Sequence, residues 1–521
     1  MLFPLSRLII ARLSGPSLRV WLTQRVNQRP IGARPLVGMG VLVAGLMLGF
    51  ISGPLSATVP AIMHDGQLQP LPDSHNPDNA HSLIDPHIIQ LKPGQTGTVQ
   101  TKPYLPRSES SLLAHPLEIP VLTVLVGFSD IEPSIQIEQW QARMFDSPMG
   151  VGAYFRWTSN DYLNLVNAGV FKVTLDYPHP DPGEKFSVAR SIARSAMGAV
   201  AKLTQLDQWD MNGDGVLSSR ELSLVIILAG QEKAFGGESA AHPNVWAHQS
   251  SAYKTLDGVQ LGRYAMFGEM HGSRQASIGI IAHEMAHLMF DLPDLYDRDG
   301  SSSGIGRWGL MGGGVWNTSH GQLGDSPAGM LAWSKQQAGL VDTLVIEESQ
   351  SVTLQHHPVI EVPINQWESF IVERRQRESF DQGLPGAGVL ITHIDHSVGS
   401  YNDNEKRKLV DIEAADGLAQ LDAGENGGDA GDTFPGIYQI PEFAGDTAPA
   451  SLSNDGQQTG IRVQVWGGEV VVDIDQEVKA SMTTPSSSKG AGIDGLILIF
   501  LLPLWMWIGS LGPGKSSRTV P

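Results

Sequence analysis

Residues 278–287 read IGIIAHEMAH. His283 and His287 stand four apart, so on a helix both imidazoles leave one face and can share a metal ion. Glu284 lies beside them, where a carboxylate can take a proton from water on that metal. The chemistry needs these residue types. Neutral nitrogens hold Zn²⁺ while leaving one position open, and zinc brings its water to a pKa of about 7. The base delivers hydroxide to a scissile carbonyl and returns the proton to the leaving amine. A His-Glu-x-x-His pentad arises by chance in roughly one such sequence in forty. Packed core histidines are the plain alternative, and apolar Ile280, Ile281, Met285 and Leu288 fit a buried helix under either reading.

A second spacing points to calcium. In DMNGDGVLSSRE (210–221), Asp210, Asn212 and Asp214 fall at loop positions one, three and five. Gly215 supplies the turn, Val216 the main-chain carbonyl of position seven, Leu217 the apolar anchor, and Glu221 the bidentate twelfth position. A hydrated turn is the alternative. The apolar stretch after Glu221 prefers a strand, so the expected Ca²⁺ site is structural and isolated, not a paired sensor. Oxygen ligands for a second ion are offered by the acidic stretch from Asp422 to Asp432 and by Asn402, Asp403 and Asn404, although solvated loops have the same composition.

The elements that must position these residues can be read from periodicity. IPVLTVLVGF (119–128) and LSLVIILAG (222–230) read as buried strands. A helix over 186–206 carries Val188, Ile192, Met197 and Val200 toward the second of them. From 341 to 480 the pattern becomes short strands (VTLQ, FIVERR, GVLITHID, RVQVW, EVVVDID) separated by Gly, Pro and Asp turns. The expected fold class is α+β: a catalytic domain over 117–340 with a mixed sheet and an active-site helix, then a β-rich domain over 341–480.

At 521 residues the chain exceeds what one core usually organises. Its net charge is −19, and residues 1–60 hold six Arg and no acid, so the remainder is more acidic still. That balance excludes a phosphate-binding surface, and no nucleic acid partner is expected. Cysteine is absent, so neither disulfides nor a blocking thiol can operate. The basic start, the apolar run Leu36–Ile51 and the small residues after it predict a signal peptide or signal anchor over 1–57. Residues 58–116, rich in Pro, His, Asp, Asn and Ser, read as a propeptide or linker. Within them His64, Asp65 and His75 are conceivable metal contacts in a latent form. Residues 481–492 read as a linker, and 493–521 as a hydrophobic anchor or sorting signal with a basic tail. The expectation is export, with membrane contact through these terminal segments before processing.

The pentad is followed by DLPDLYD (291–297) and GRWGLMGGGVWN (306–317). With VLVGFSD (124–130), AYFRWTSNDYLNL (153–165), NVWAHQ (244–249), PAGMLAWSKQQAGL (327–340), ERRQ (373–376), LPGAGVLITHID (384–395) and GDAGDTFPG (428–436), these segments resemble, in order, the M6 (immune inhibitor A-like) family of metzincin-type proteases. The resemblance implies a zincin/metzincin-like catalytic fold, a third zinc ligand from the Pro-Asp-x-Tyr-Asp segment, and a Met floor beneath the metal. Asp294 and Met311 match those positions. The chain departs from the family's commonest spacing: Phe290 stands where a Gly usually lets the helix turn back, and one extra residue follows. Asp291 tolerates left-handed backbone angles and can replace that Gly, leaving Asp294 as the ligand. Asp291 itself is the alternative third ligand. The resulting expectation is a secreted or surface-anchored, monomeric zinc endopeptidase acting on proteins or peptides. The alternative is a catalytically inactive, calcium-stabilised surface binding protein, against which the intact Glu284 argues. An aminopeptidase would need acids placed to grip a free amine, and the sequence offers no such signature.

Overall fold

Strands β1 (Leu117–Gly127), β2 (Leu163–Thr174), β3 (Ser223–Glu232), β4 (His248–Leu256) and β5 (Val259–His271) lie side by side in the order β4–β5–β3–β1–β2. All pairs are parallel except β4 with β5. The computed structural model describes residues 116–483 apart from 356–357 and 400, together with short strands at 56–57, 62–64 and 67–69. The first of these short strands pairs antiparallel with the outer edge of β4.

The apolar runs of β1 and β3 are continuous, not alternating, because both sheet faces are covered. Ile119, Val121 and Leu125 of β1, with Val225 and Ile227 of β3, face the core that holds helix α3 (Ile278–Phe290). Leu122, Val124, Val126, Leu224, Ile226 and Leu228 face the opposite core. There they meet Ala189, Ile192, Ala193, Ala196, Met197 and Val200 of the helix Phe186–Val200. That helix ends at Val200, short of the 206 read from the sequence, and the chain continues as a turn.

Beyond residue 341, β6 (Val359–Pro363), β7 (Glu368–Arg375), β8 (Gly388–Asp395) and β9 (Val410–Ile412) form an antiparallel meander. Its successive residues face two ways. Val359, Ile371, Leu390, Ile394 and Val410 join the core around α3. Ile360, Phe370, Val372 and Ile391 pack on a second sheet that includes Ile461–Trp466 and Glu469–Ile474. One buried cluster therefore runs from Ile119 to Leu421, across residue 341.

The architecture is mixed α/β with several sheets and few helices. A helix at Gln476–Thr483 runs three residues into the segment read as a linker from 481. Among the described residues no helix is long and apolar enough to cross a membrane. The segment 1–57 read as a signal and the apolar stretch 493–511 lie almost wholly outside the described residues.

Candidate metal centre

Every residue of α3 is buried, so this is a core helix, apolar all round except for its histidines and Glu284. Its start needs Gly279, where a Cβ would collide with the Val315 carbonyl. Its end is set by Asp291, which caps the helix at φ 55° and ψ 28°. That is the left-handed conformation a Gly would otherwise supply. Arg263 on β5 holds the cap: it pairs with the Asp291 carboxylate at 2.5 Å and donates to the His287 carbonyl at 3.2 Å. The Asp291 side chain is 72% exposed and committed to Arg263, away from the histidines.

The reversal at Asp291 returns the chain beneath the helix. His287 Nδ1 donates to the Leu292 carbonyl at 2.5 Å, and His283 Nδ1 donates to the Leu310 carbonyl at 3.0 Å. A carbonyl oxygen can only accept, so each ring hydrogen is assigned to Nδ1 and each Nε2 presents a lone pair. The two Nε2 atoms are 3.0 Å apart, and Asp294 Oδ1 lies 3.1 Å from each. Burial pushes the pKa of His283 below its ordinary value and favours the neutral ring. Three acceptor atoms thus converge in a site almost closed to solvent, an arrangement that calls for a cation. Zinc bonds of about 2.0–2.1 Å would put tetrahedral ligand atoms about 3.3 Å apart, so this nitrogen–nitrogen–oxygen triangle fits the ion to about 0.3 Å.

Glu284 is fully buried in the same helical turn as His283. Met311 is 1% exposed, and its backbone acts on the ligand loop: the Met311 carbonyl accepts from Leu295 N at 2.8 Å, beside the Leu310 carbonyl that orients His283. Sequence reasoning quoted Tyr296 within a motif but gave it no role. Its hydroxyl hydrogen-bonds Asp294, and burial together with the charges of Asp294 and Glu284 pushes its pKa well above the usual value. The phenol is therefore held as a donor to the carboxylate. Arg263 and the Leu292 and Leu310 carbonyls were also missed; carbonyls occur at every residue and leave no side-chain signal.

The loop 210–221 is arranged differently. Asp210 accepts from the amides of Gly213, Asp214 and Gly215, Asn212 from Asp214, and Asp214 from Val216. Glu221 accepts from the Asn212 and Ser218 amides at 3.3 and 3.0 Å. Gly213 and Gly215 both take positive φ, and Leu217 is buried as the anchor. The chain leaves the loop into β3, not a helix. Among the described residues, three or more metal-ligating His or carboxylate groups converge at His283/His287/Asp294 and at Asp416/Asp429/Asp432. The 210–221 loop is not among these groups.

The stretch from Asp422 to Asp432 divides, with Asp429 and Asp432 in the second of these groups. Asp422 pairs with buried Lys408. Asp432 accepts from Trp308 Nε1 at 2.8 Å, and burial raises its pKa to about 6 with Asp429 and Asp416 nearby. Asn402, Asp403 and Asn404 do not converge: Asn402 turns inward, Asp403 pairs with Arg298, and Asn404 accepts from the Lys406 amide. Asp65 and His75 fall outside the described residues, and for His64 only the backbone is described.

Residues 180–341 match the model of the immune inhibitor A peptidase M6 catalytic domain, the segment that contains α3, the ligand loop and the Met311 turn. No curated protein matches the chain.

Proposed function

Residues 180–341 match the M6 peptidase catalytic-domain model, and on that premise we propose that the chain is a zinc-dependent endopeptidase of that family acting on proteins and peptides. The observation that carries this reading is the triangle of His283 Nε2, His287 Nε2 and Asp294 Oδ1, with both Nδ1 hydrogens already donated to carbonyls. Two imidazoles and one carboxylate suit zinc better than the oxygen-only preferences of magnesium or calcium. The mixed sheet, the helix α3 and the Met311 turn support a metzincin-like arrangement of the domain.

When bound, zinc supplies a Lewis acid that activates water and polarises the scissile carbonyl. The protein does the rest. Leu310 and Leu292 fix the two ring tautomers, and Tyr296 orients the Asp294 carboxylate by a hydrogen bond. Glu284 accepts the proton of the attacking water and returns it to the leaving amine nitrogen. Removing zinc from the processed protein with a chelator is expected to abolish cleavage of casein and of end-blocked peptides, and zinc addition to restore it. Cleavage that survives complete metal removal would sink the assignment.

The succession of basic, then apolar, then small residues before 58 supports export, with retention at the cell surface through the apolar stretch at 493–511. Recovery of the active, shortened chain from the medium or cell surface, as that assay requires, checks this part. Ca²⁺ in the 210–221 loop is supported by ligand types at every required position. Calcium at a hundred times its dissociation constant is then expected to stabilise the fold by about 2.7 kcal/mol. An unchanged thermal midpoint in calcium, or equal shifts in wild type and Asp214→Ala, would exclude that site.

A further inference from the structure

The third ligand is tied down by a residue far along the chain. Asn402, in the connection between β8 and β9, is fully buried. Its amide donates to the Leu295 carbonyl at 2.9 Å and to the Val410 carbonyl at 2.8 Å, while its Oδ1 accepts from the Val410 amide at 3.1 Å. Leu295 directly follows Asp294. Its own N–H donates to the Met311 carbonyl at 2.8 Å, and its carbonyl also accepts from Ile305 N at 3.0 Å. Leu295 is therefore held at its N–H by the Met311 turn and at its carbonyl by Asn402 and Ile305.

The next residue repeats the pattern. Asp403 accepts from the Arg298 backbone amide at 3.2 Å and from its Nε at 3.0 Å. The guanidinium of Arg298 stacks 3.3 Å from the Tyr401 ring centroid. Residues 401–403 thus grip the ligand loop at Leu295 and Arg298, three residues apart, on the C-terminal side of Asp294.

We propose that Asn402 and Asp403 are positioning residues for metal binding, holding the Leu295 peptide and Arg298 so that Asp294 Oδ1 stays at the apex above the two Nε2 atoms. The inference rests on the zinc reading of that triangle. It gives the β-rich region a direct part in the metal site, although these residues lie outside the matched segment 180–341. The ligand is anionic and sits against two rings whose Nδ1 atoms are hydrogen-bonded to the Leu310 and Leu292 carbonyls. Its position is the variable one. Without Asn402, the Val410 peptide loses its side-chain partners and the Leu295 carbonyl keeps only Ile305. The loop is then free to shift Asp294 by tenths of an ångström, enough to degrade a tetrahedral site.

The test measures metal, not turnover. In the full chain, Asn402→Ala is expected to weaken zinc binding roughly ten- to a hundredfold in chelator competition, the range for lost support of a metal ligand. It should also change the visible absorption of the Co²⁺-substituted protein, which reports ligand geometry. Asp403→Asn is expected to act in the same direction by a few-fold. Asn404→Ala on the same loop, whose side chain meets only the Lys406 amide, should leave both readouts unchanged. A lower melting point with wild-type zinc affinity and Co²⁺ spectrum would overturn the proposal and leave Asn402 a packing residue. If Asn402→Ala yields no folded protein, wild-type affinity and spectrum in Asp403→Asn overturn it equally. Failure of the endopeptidase reading is distinguishable, because it would appear as Glu284-independent cleavage with these metal titrations unaffected.

Discussion

Glu284→Gln is expected to slow proteolysis by roughly two to four orders of magnitude while one zinc ion remains bound, the range for removal of a positioned acid–base group. Glutamine keeps the volume of the fully buried side chain, so the helix core is not left with a cavity. It also leaves His283, His287 and Asp294 untouched. What it removes is the only property the mechanism asks of position 284, a carboxylate that takes up and releases a proton. The measurements are initial rates on casein and on an end-blocked peptide, with bound zinc quantified in the same samples. Loss of activity together with loss of zinc would assign Glu284 a structural role. Undiminished activity with zinc bound would remove it from the mechanism.

Arg375→Met is expected to destabilise the fold by about 3–5 kcal/mol, the range for breaking a buried ion pair from one side. Arg375 on β7 is 3% exposed. It donates to both oxygens of Asp381 at 3.1 and 2.9 Å, lies 3.8 Å from Glu373, and donates to the Trp308 carbonyl at 2.8 Å. Burial by itself would lower its pKa, but the neighbouring Asp381 and Glu373 outweigh that and hold it above its ordinary value. The carboxylates have further tasks, since Asp381 accepts from Gly329 N and Glu373 from Ala332 N. Methionine fills much of the space but leaves the buried Asp381 and Glu373 carboxylates without the guanidinium, and a donor is lost from the turn that carries Met311. Denaturant midpoints at constant m-value measure the cost. Adding Asp381→Asn to Arg375→Met should recover part of it by removing one stranded charge. A cost below about 1 kcal/mol, or no recovery in the double variant, would show that the network is not coupled as the distances imply.

The two positions differ in how legible they are from the sequence. The pentad is legible because its geometry is local: four residues on a helix fix which side chains share a face. The replacement of a helix-ending Gly by Asp291 is legible for a similar reason, since few residues accept positive φ, and the structure places Asp291 at φ 55°. The strands β1 and β3 were visible as apolar runs whose length and β-branching suit burial on both faces. The ERRQ segment that contains Arg375 could be quoted from the sequence, but nothing local says that its guanidinium meets Trp308 and Asp381.

The grouping of His283, Glu284 and His287 within one stretch of helix was determined by the sequence itself, because helical spacing is a short-range property of the chain. The tertiary structure decided how the loop after the helix is spent. It commits Asp291 to Arg263 and brings Asp294 to the imidazoles, and it turns the Asn402–Asp403 segment from a conceivable ion site into a grip on Leu295 and Arg298. These contacts join residues up to 107 positions apart, and several end on backbone carbonyls. A carbonyl is identical at every residue, so only the packing of β5, the Met311 turn and the β8–β9 connection around α3 selects which one is used.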